Sequence, residues 1–260
     1  MGKIRYAARS QDELDARRAP ANKQGIFSTL LTAIYETDPQ AIAAVLPPPL
    51  LPDSEPLVRV TMASVDLGVG MPVFGAGTFA VQACHGSVIG NYPLVMPMTT
   101  EQAVIGGREV FGEPKKLADV GVEIDGDSVR GWFTRMGVTF VTIQGSMGPE
   151  IQIPADESRI DFYFKCLPSP DRKGFDSEPS LVYCYRDEST RLLKNVDGVV
   201  TLAESPYDPV ADLPVLKIRS IQYAERSSSQ RGEIVERVPG EWLEPYLHQR
   251  YDDPLPKSND

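Results

Sequence analysis

Short apolar runs bounded by glycine, proline and charged residues recur along most of the chain, a pattern typical of β-strands joined by turns. The runs predict strands at 55–65, 79–89, 92–98, 122–124, 128–134, 138–143, 161–167, 181–186, 195–202 and 216–224. Gly90-Asn91 and Asp125-Gly126 each stand between two of these strands, and both dipeptides favour hairpin turns. Many strands, short turns and few helices predict one α+β domain dominated by antiparallel sheet.

Helix signals occur at four places: residues 11–18, the stretch from Thr37 to Pro49, the stretch from Thr99 to Val104, and residues 241–250. Thr37 or Asp38 is a suitable N-cap for a helix with Pro39 in its first turn. Thr99 and Gln102 have the spacing of a capping box. We expect a loosely ordered segment at 1–21, a single domain at 22–252 and a tail at 253–260. Ser227-Ser228-Ser229 is predicted to be a flexible turn.

Composition narrows the class of protein. The 260 residues are 42% hydrophobic, enough for one large domain with a buried core. A net charge of −10 argues against nucleic-acid and anionic-membrane partners, which require clustered positive charge. No apolar window is long enough to span a bilayer, and the charged N-terminus lacks the apolar core of a secretory signal. Three widely spaced cysteines indicate reduced thiols, so we expect a cytoplasmic enzyme.

Several other features carry little chemistry. His85 and His248 are the only histidines, and nothing in the sequence places carboxylates beside both, so we predict no metal site. Cys84 and His85 are neighbours on a predicted strand, where their side chains point to opposite faces and cannot form a dyad. The glycine pairs at 68–70 and 75–77 lack the strand–turn–helix context of a phosphate-binding loop.

The most informative segment is Arg108-Glu109-Val110-Phe111-Gly112-Glu113-Pro114-Lys115-Lys116-Leu117. A lysine becomes a nucleophile when part of its population is uncharged near neutral pH. Burial among apolar groups or a second positive charge nearby lowers the pKa of a lysine in this way. A neutral lysine attacks carbonyl carbon and forms a Schiff base. The alternative is a basic surface turn, with Lys116 in a salt bridge to Glu113 or Asp119.

This segment resembles the active-site signature of the acetoacetate decarboxylase-like superfamily. Three further stretches extend the resemblance over roughly 25–225: residues 37–50, residues 55–60 and residues 206–215. The resemblance implies a cone-shaped β-barrel with Lys115 inside as the Schiff-base residue and Lys116 as its electrostatic neighbour. It also implies a homo-oligomer that acts on a small-molecule oxo acid, and we expect no cofactor.

The chain departs from the decarboxylase pattern at three positions. Ala76 stands where the family has an essential glutamate, Thr61 stands where it has a second acid, and Ser28 stands where it has an arginine near the start of the domain. The Schiff-base lysine is retained while these polar groups are absent. Imine chemistry is therefore expected, and acetoacetate decarboxylation is in doubt.

The leading hypothesis is a Schiff-base lyase whose protonated imine stabilises a carbanion equivalent, with aldolase or dehydratase chemistry favoured. The alternatives are decarboxylation of a β-oxo acid and a non-catalytic protein that binds a carbonyl ligand. Besides the two lysines, the candidate catalytic residues are Glu109 and Glu113, and the candidate substrate-binding residues are Arg108, Phe111, Tyr92 and Gln82. Because adjacent side chains on a strand diverge, we expect burial to activate Lys115 more than the charge of Lys116 does.

Overall fold

The structure of the protein is a computed structural model that describes residues 4–18, 26–68, 72–154 and 157–252. In these ranges the α-helices are α1 (Gln11–Arg18), α2 (Pro39–Val45), α3 (Glu101–Val110) and α4 (Gly240–Leu243), and 3-10 helices lie at Val210–Asp212 and Glu244–Gln249. The strands are β1 (Ser28–Glu36), β2 (Leu51–Pro52), β3 (Leu57–Val65), β4 (Phe74–His85), β5 (Val88–Met98), β6 (Lys115–Leu117), β7 (Asp119–Asp125), β8 (Ser128–Arg135), β9 (Val138–Glu150), β10 (Glu157–Lys165), β11 (Ser180–Leu202) and β12 (Lys217–Arg237).

All the described strands belong to one mixed sheet with the order β10-β5-β4-β3-β1-β12-β11-β9-β8-β7. Because β10 also pairs with β11, the first seven strands of that order form a ring. Only the β10–β5 and β5–β6 pairs are parallel, and all other described pairs are antiparallel. The predicted α+β class with mostly antiparallel strands is confirmed, and the ring is consistent with the barrel that the resemblance implied.

Strands β7, β8 and β9 continue from β11 and fold over the outside of the ring. The main apolar core includes ring residues such as Leu31 and Met62 together with Phe133 and Phe140 of the outer strands. Side chains alternate between the two faces of a strand, so the faces of β3 differ in polarity. Val58, Val60 and Met62 are buried in the core, whereas Arg59 and Thr61 lie on the opposite face. Strand β3 therefore contributes polar side chains to the inside of the ring.

One predicted hairpin is confirmed and the other is misplaced. Strands β7 and β8 pair across Gly126 and Asp127, as the Asp125-Gly126 signal indicates. Strands β4 and β5 pair as predicted, but their turn lies at Gly86 and Ser87, because His85 pairs with Val88. Gly86 has a φ of 59°, whereas Gly90 lies inside β5. A Cβ atom on Gly90 would lie 2.7 Å from the carbonyl oxygen of Ile160, so this glycine permits close packing against β10.

The predicted helices are present with different boundaries. Helix α2 begins after Asp38, whose carboxylate accepts a hydrogen bond from the N–H of Gln40 at 2.9 Å, as predicted. The capping box is wrong: Thr100 is the N-cap of α3, and the Thr99 hydroxyl instead accepts a bond from the N–H of Gly75. Helix α3 continues to Val110, six residues beyond its predicted end. The C-terminal helix is split into α4 and a 3-10 turn that contains Pro245.

The two longest strands correct other boundaries. Strand β11 joins the predicted strands 181–186 and 195–202 into 23 residues, and β12 continues through the predicted flexible turn Ser227-Ser228-Ser229. Helix α1 matches the predicted helix, whereas residues 253–260 and parts of the predicted segment 1–21 lie outside the described residues. None of the helices in the described ranges is long and apolar enough to cross a membrane. Cys84, Cys166 and Cys184 are all unpaired.

Candidate active site

The end of α3 presents the two lysines to the ring. The helix stops at Phe111, and Gly112 has a φ of 83°, a left-handed conformation that favours glycine. The chain then turns through Glu113, whose N–H donates to the carbonyl of Gly107 at 3.2 Å. Strand β6 follows and pairs in parallel with β5, which places Lys115 opposite Met96.

Lys115 and Lys116 leave β6 on opposite faces, as expected for neighbours on a strand. The Lys115 Nζ lies 2.7 Å from Glu113 Oε2, and the Lys115 side chain is 13% exposed. The Lys116 Nζ lies 3.0 Å from Asp208 Oδ1 and 2.9 Å from Asp252 Oδ1. Arg135 pairs with the same two aspartates. Lys116 therefore shares two counter-ions with Arg135, in a cluster separate from Glu113.

Glu113 connects Lys115 to a line of buried ion pairs, which we call the interior network. Its members are Lys115, Glu113, Arg186, Asp161, Arg159, Glu188 and Arg226. Glu113 is fully buried, and its Oε1 accepts from Arg186 Nη2 at 2.8 Å. Arg186 also donates from Nε to Asp161 Oδ2 at 2.5 Å and from Nη2 to the Tyr163 hydroxyl at 2.9 Å.

The network continues away from the lysine. Arg159 Nε lies 3.3 Å from Asp161 Oδ1, and Arg159 also pairs with Glu188. Glu188 in turn accepts from Arg226 Nη1 at 3.1 Å. Because Arg159 and Asp161 alternate along β10 and Arg186 and Glu188 alternate along β11, strand periodicity places all four on the inner face.

The arginines of the network keep two of its carboxylates, those of Asp161 and Glu188, ionised. Burial opposes ionisation of Asp161, but Arg159 and Arg186 outweigh burial and hold the pKa of this carboxyl below its ordinary value. The pKa of Glu188 is lowered in the same way by Arg159 and Arg226. Burial raises the pKa of the Tyr163 hydroxyl well above its ordinary value, so this group stays neutral and able to donate.

Apolar side chains form the wall beside Lys115. The buried members of this cluster are Met96, Met98, Tyr163, Val182 and Cys184, with Ala76, Phe111 and three other residues packed against them. Burial raises the pKa of the Cys184 thiol to about 11, which keeps the thiol protonated at neutral pH. Glu113 is thus the carboxylate paired with Lys115, and Met96, which lies opposite Lys115 on β5, belongs to the apolar wall.

Helix α3 approaches the lysine closely because it carries a glycine at the contact. A Cβ atom on Gly107 would lie 2.1 Å from Glu113 Oε2 and 2.7 Å from Lys115 Nζ. Any larger side chain would displace the pair, so Gly107 fixes the distance between the helix and the lysine.

The structure brings together some of the predicted site residues. Lys115 and Glu113 are in contact, and Phe111 packs against the apolar wall. Arg108 stays outside the network: its Nη1 donates to the Lys115 carbonyl at 3.1 Å, and its guanidinium lies over the Tyr251 ring. Arg108 therefore supports the backbone at the lysine.

The other predicted residues lie elsewhere. Glu109 is on the exposed side of α3. Tyr92 is buried on the outer side of the ring, where its hydroxyl donates to Gln249 Oε1 at 2.8 Å. Gln82 lines a cavity at the end of the ring formed by the β4–β5 turn and donates to Asp53 Oδ2 at 2.5 Å. In the described ranges, none of these three residues makes a hydrogen bond or ion pair with Lys115.

The three positions that depart from the decarboxylase pattern lie on ring strands. Ala76 pairs with Met98 and belongs to the apolar wall. The Thr61 hydroxyl is 3.1 Å from the Thr32 hydroxyl, on the polar face of β3. Ser28 lies opposite Arg226 in the β1–β12 register. Other positions thus supply charged groups to the ring interior.

Arg186, Asp161 and Tyr163 were not identified from the sequence. Their signal is polar residues at alternate positions within apolar strands, as in Asp161-Phe162-Tyr163-Phe164. Because Glu113 and Arg186 are 73 residues apart, their contact depends on the pairing of strands and leaves no local pattern.

His85 contacts a tyrosine and a glutamate. His85 Nδ1 is 2.7 Å from the Tyr183 hydroxyl, and its Nε2 is 3.1 Å from Glu236 Oε1. In the described ranges no three His, Cys, Asp or Glu side chains are grouped in a way that would hold a metal ion.

Comparison with known proteins identifies the family. Residues 14–238 match the model of the family described as acetoacetate decarboxylase (ADC). The chain belongs to the acetoacetate decarboxylase family. It is 29% identical over 195 residues to an acetoacetate decarboxylase of Paraburkholderia phytofirmans, with 72% of this chain and 75% of the relative covered. It is 30% identical over 197 residues to the acetoacetate decarboxylase of Burkholderia multivorans, with 72% of this chain and 77% of the relative covered.

Solved structures of acetoacetate decarboxylase-like proteins share the fold. A solved structure of an acetoacetate decarboxylase matches this chain with a TM-score of 0.73 at 21% sequence identity. The match covers 88% of this chain and 99% of that chain. The enduracididine biosynthesis enzyme MppR, complexed with pyruvate, matches with a TM-score of 0.67 at 15% sequence identity. This match covers 81% of this chain and 89% of the MppR chain. The predicted family membership is confirmed, and the relatives named are enzymes.

Proposed function

We propose that this member of the family is a lyase that forms a Schiff base between Lys115 and a small oxo acid. The observation that carries the proposal is the contact of Lys115 Nζ with Glu113 Oε2 at 2.7 Å, on a strand whose neighbour β5 contributes Met96 to the apolar wall. Glu113 is near enough to take a proton from the ammonium and so free the amine lone pair. Arg186, on the other oxygen of Glu113, orients that carboxylate.

The chemistry begins when the neutral amine attacks the carbonyl carbon of the oxo acid. The resulting carbinolamine loses water, whose departure Glu113 assists by returning the proton, and a protonated imine remains. The imine draws electrons from the adjacent carbon, so loss of a proton there gives an enamine. Attack of the enamine on an aldehyde carbonyl forms a new carbon–carbon bond and restores the imine, and the alkoxide takes up a proton. Loss of water then gives the unsaturated imine, whose hydrolysis releases the unsaturated oxo acid and regenerates the Lys115 amine.

We favour this aldolase–dehydratase branch because two of the decarboxylase family's acids are replaced by uncharged Ala76 and Thr61. Glu113 supplies the proton transfers that the aldol and dehydration steps need. The complex of MppR with the condensation product of pyruvate and imidazole 4-carboxaldehyde gives a precedent on the same fold.

Decarboxylation of a β-oxo acid is the second candidate. The relatives at 29–30% identity are acetoacetate decarboxylases, and Arg186 provides a cation near Lys115 that could hold a substrate carboxylate. In that case the imine accepts the electrons released when carbon dioxide leaves, and the enamine then takes up a proton.

Borohydride trapping tests the proposal. Pyruvate and acetoacetate should each be supplied with borohydride, and the modified peptide should be identified by mass spectrometry. Lys115→Arg should abolish labelling while the fold survives, because arginine stays protonated and cannot form the imine. Labelling that persists in this variant or maps to Lys116 would refute the assignment.

Product analysis separates the candidates. Pyruvate with an aldehyde should yield a condensed product, whereas rapid carbon dioxide release from acetoacetate, at ~1–10³ per second, would favour decarboxylation. A protein that binds oxo acids without labelling or turnover would be a non-catalytic carbonyl-binding protein.

A further inference from the structure

A cavity of about 290 Å³ opens at the end of the ring remote from Lys115. Its lining includes the side chains of Arg59, Arg159, Gln82 and Asn91, together with apolar residues such as Leu57. The volume is close to the lower end of the range for small-molecule sites, and a few polar groups among apolar ones are typical of such sites.

Arg59 is the unpaired cation of this cavity. In the part of the chain that the structure describes, Arg59 makes no hydrogen bond or ion pair, whereas Arg159 is paired with Asp161 and Glu188. Burial and the neighbouring charge of Arg159 lower the pKa of Arg59 to about 10, which still leaves it protonated at neutral pH.

The ring interior carries more positive than negative formal charge. Arg59 and the four cations of the interior network, Lys115, Arg159, Arg186 and Arg226, face three anions, Glu113, Asp161 and Glu188. The surplus of two positive charges lies inside a chain whose net charge is −10. A buried charge without a partner is costly, so this surplus favours an anionic ligand.

The cavity and the lysine are two ends of one interior. Arg159 lines the cavity, and Tyr163, four residues along β10, contacts Arg186 beside Glu113. Four strand residues correspond to ~13 Å. A ligand that contacts both Lys115 and Arg59 would have to bridge the part of that distance that these two long side chains do not cover, and a chain of about six carbons has a suitable length.

We infer that the substrate is an oxo diacid whose second carboxylate is bound by Arg59 at this cavity. Only the part of this inference that joins the oxo group to Lys115 rests on the proposed function; the binding of the second carboxylate by Arg59 does not. Arg59 offers a planar pair of donors that matches a carboxylate. Asn91 and Gln82 stand beside it as further hydrogen-bond donors.

Trapping with a matched pair of acids tests the inference. The concentration of 2-oxoadipate that gives half-maximal borohydride labelling should be about 10- to 100-fold lower than that of 2-oxohexanoate, which has the same chain length and one carboxylate. Arg59→Gln should remove this difference and leave 2-oxohexanoate unchanged. Arg130→Gln, at an exposed arginine of β8, should keep the difference.

The outcomes are separable. Equal labelling by both acids in the wild-type protein, or an unchanged preference in Arg59→Gln, overturns the inference while the imine proposal stands. If Arg59→Gln does not fold, Ser158→Asp at the exposed rim should reduce the preference through repulsion, and an unreduced preference overturns the inference.

If no oxo acid labels Lys115, the imine proposal fails and calorimetry still decides the diacid site. Adipate, which cannot form an imine, should bind the wild-type protein more tightly than hexanoate does and should lose that advantage in Arg59→Gln. Equal binding of adipate and hexanoate overturns the site.

Discussion

Replacing Arg186 with methionine removes the residue that joins the two carboxylates nearest the lysine. Arg186 donates to Asp161, Glu113 and the Tyr163 hydroxyl, at 2.5, 2.8 and 2.9 Å respectively, and its side chain is 14% exposed. Methionine has comparable length and no charge, so the variant keeps most of the packing while it loses these three contacts and the bond from Arg186 Nη1 to Gln230 Oε1 at 2.8 Å.

The expected loss in unfolding free energy follows from the ion pairs that remain in the variant. Removing one partner of a buried ion pair costs about 3–5 kcal/mol, because a buried charge loses its compensation. Glu113 keeps Lys115, and Asp161 keeps Arg159 at 3.3 Å, so each carboxylate retains one cation. We therefore expect a loss in unfolding free energy near 3 kcal/mol at pH 7, or a fall of roughly 6–12 °C in Tm.

The cost should depend on pH. Arg186 and Arg159 together hold the pKa of Asp161 below its ordinary value in the folded protein. A depressed folded-state pKa stabilises the fold above the unfolded pKa of ~3.9, and that stabilisation is lost as pH falls through the folded pKa. The variant lacks part of this contribution, so the difference between wild type and variant should be greatest near neutral pH and should narrow below about pH 4.

Urea unfolding at pH 7, 5 and 3.5 measures the difference directly. Arg186→Lys, which retains charge without the planar set of donors, should lie between wild type and Arg186→Met. Arg130→Met on the exposed face of β8 should stay within about 0.5 kcal/mol of wild type. A loss under 1 kcal/mol at pH 7, or a loss that is the same at all three pH values, would refute this account of the network.

Lys116→Ala should leave borohydride trapping at Lys115 intact and should lower the unfolding free energy by about 3 kcal/mol, because Lys116 pairs with Asp208 on the opposite face of β6. Loss of trapping in a folded variant would contradict the separation of Lys116 from imine formation. Gly90→Ala should cost about 2–3 kcal/mol in urea unfolding, since its Cβ would meet the Ile160 carbonyl at 2.7 Å. Gly86→Ala, with open space but a φ of 59°, should cost about 1 kcal/mol, and equal costs would argue against the close contact.

The structural elements that the sequence predicts correctly are those set by interactions between residues close together along the chain. The cap and prolines of α2 and the hairpin at Gly126 follow from neighbouring residues, and both are present. Six of the seven ring strands overlap predicted strands, whereas β1 was missed, because the first predicted strand begins at residue 55. The turn at Gly90 was misplaced because a glycine can serve a positive φ or a close contact, and only the packing of β10 distinguishes the two.

The candidate site was partly predictable for the same reason. The divergence of Lys115 and Lys116 follows from strand alternation, and the structure shows it. The partners of Glu113 and the position of Tyr92 depend on which strands adjoin, so sequence distance conceals them. The roles of Lys115 and Glu113 in catalysis stay predictions until trapping is done.

The sign of the charge inside the ring has a consequence for how ligands arrive. The net charge of −10, with a surplus of +2 inside, leaves −12 for the rest of the molecule. An anionic ligand is therefore repelled at long range and attracted once it reaches the cavity. Because salt screens exposed charges over ~10 Å at 0.1 M but affects buried pairs much less, added salt should speed association while dissociation changes little. Selectivity for anionic ligands would then come from a slow dissociation rate, and the association rate would be lowest in buffer of low ionic strength.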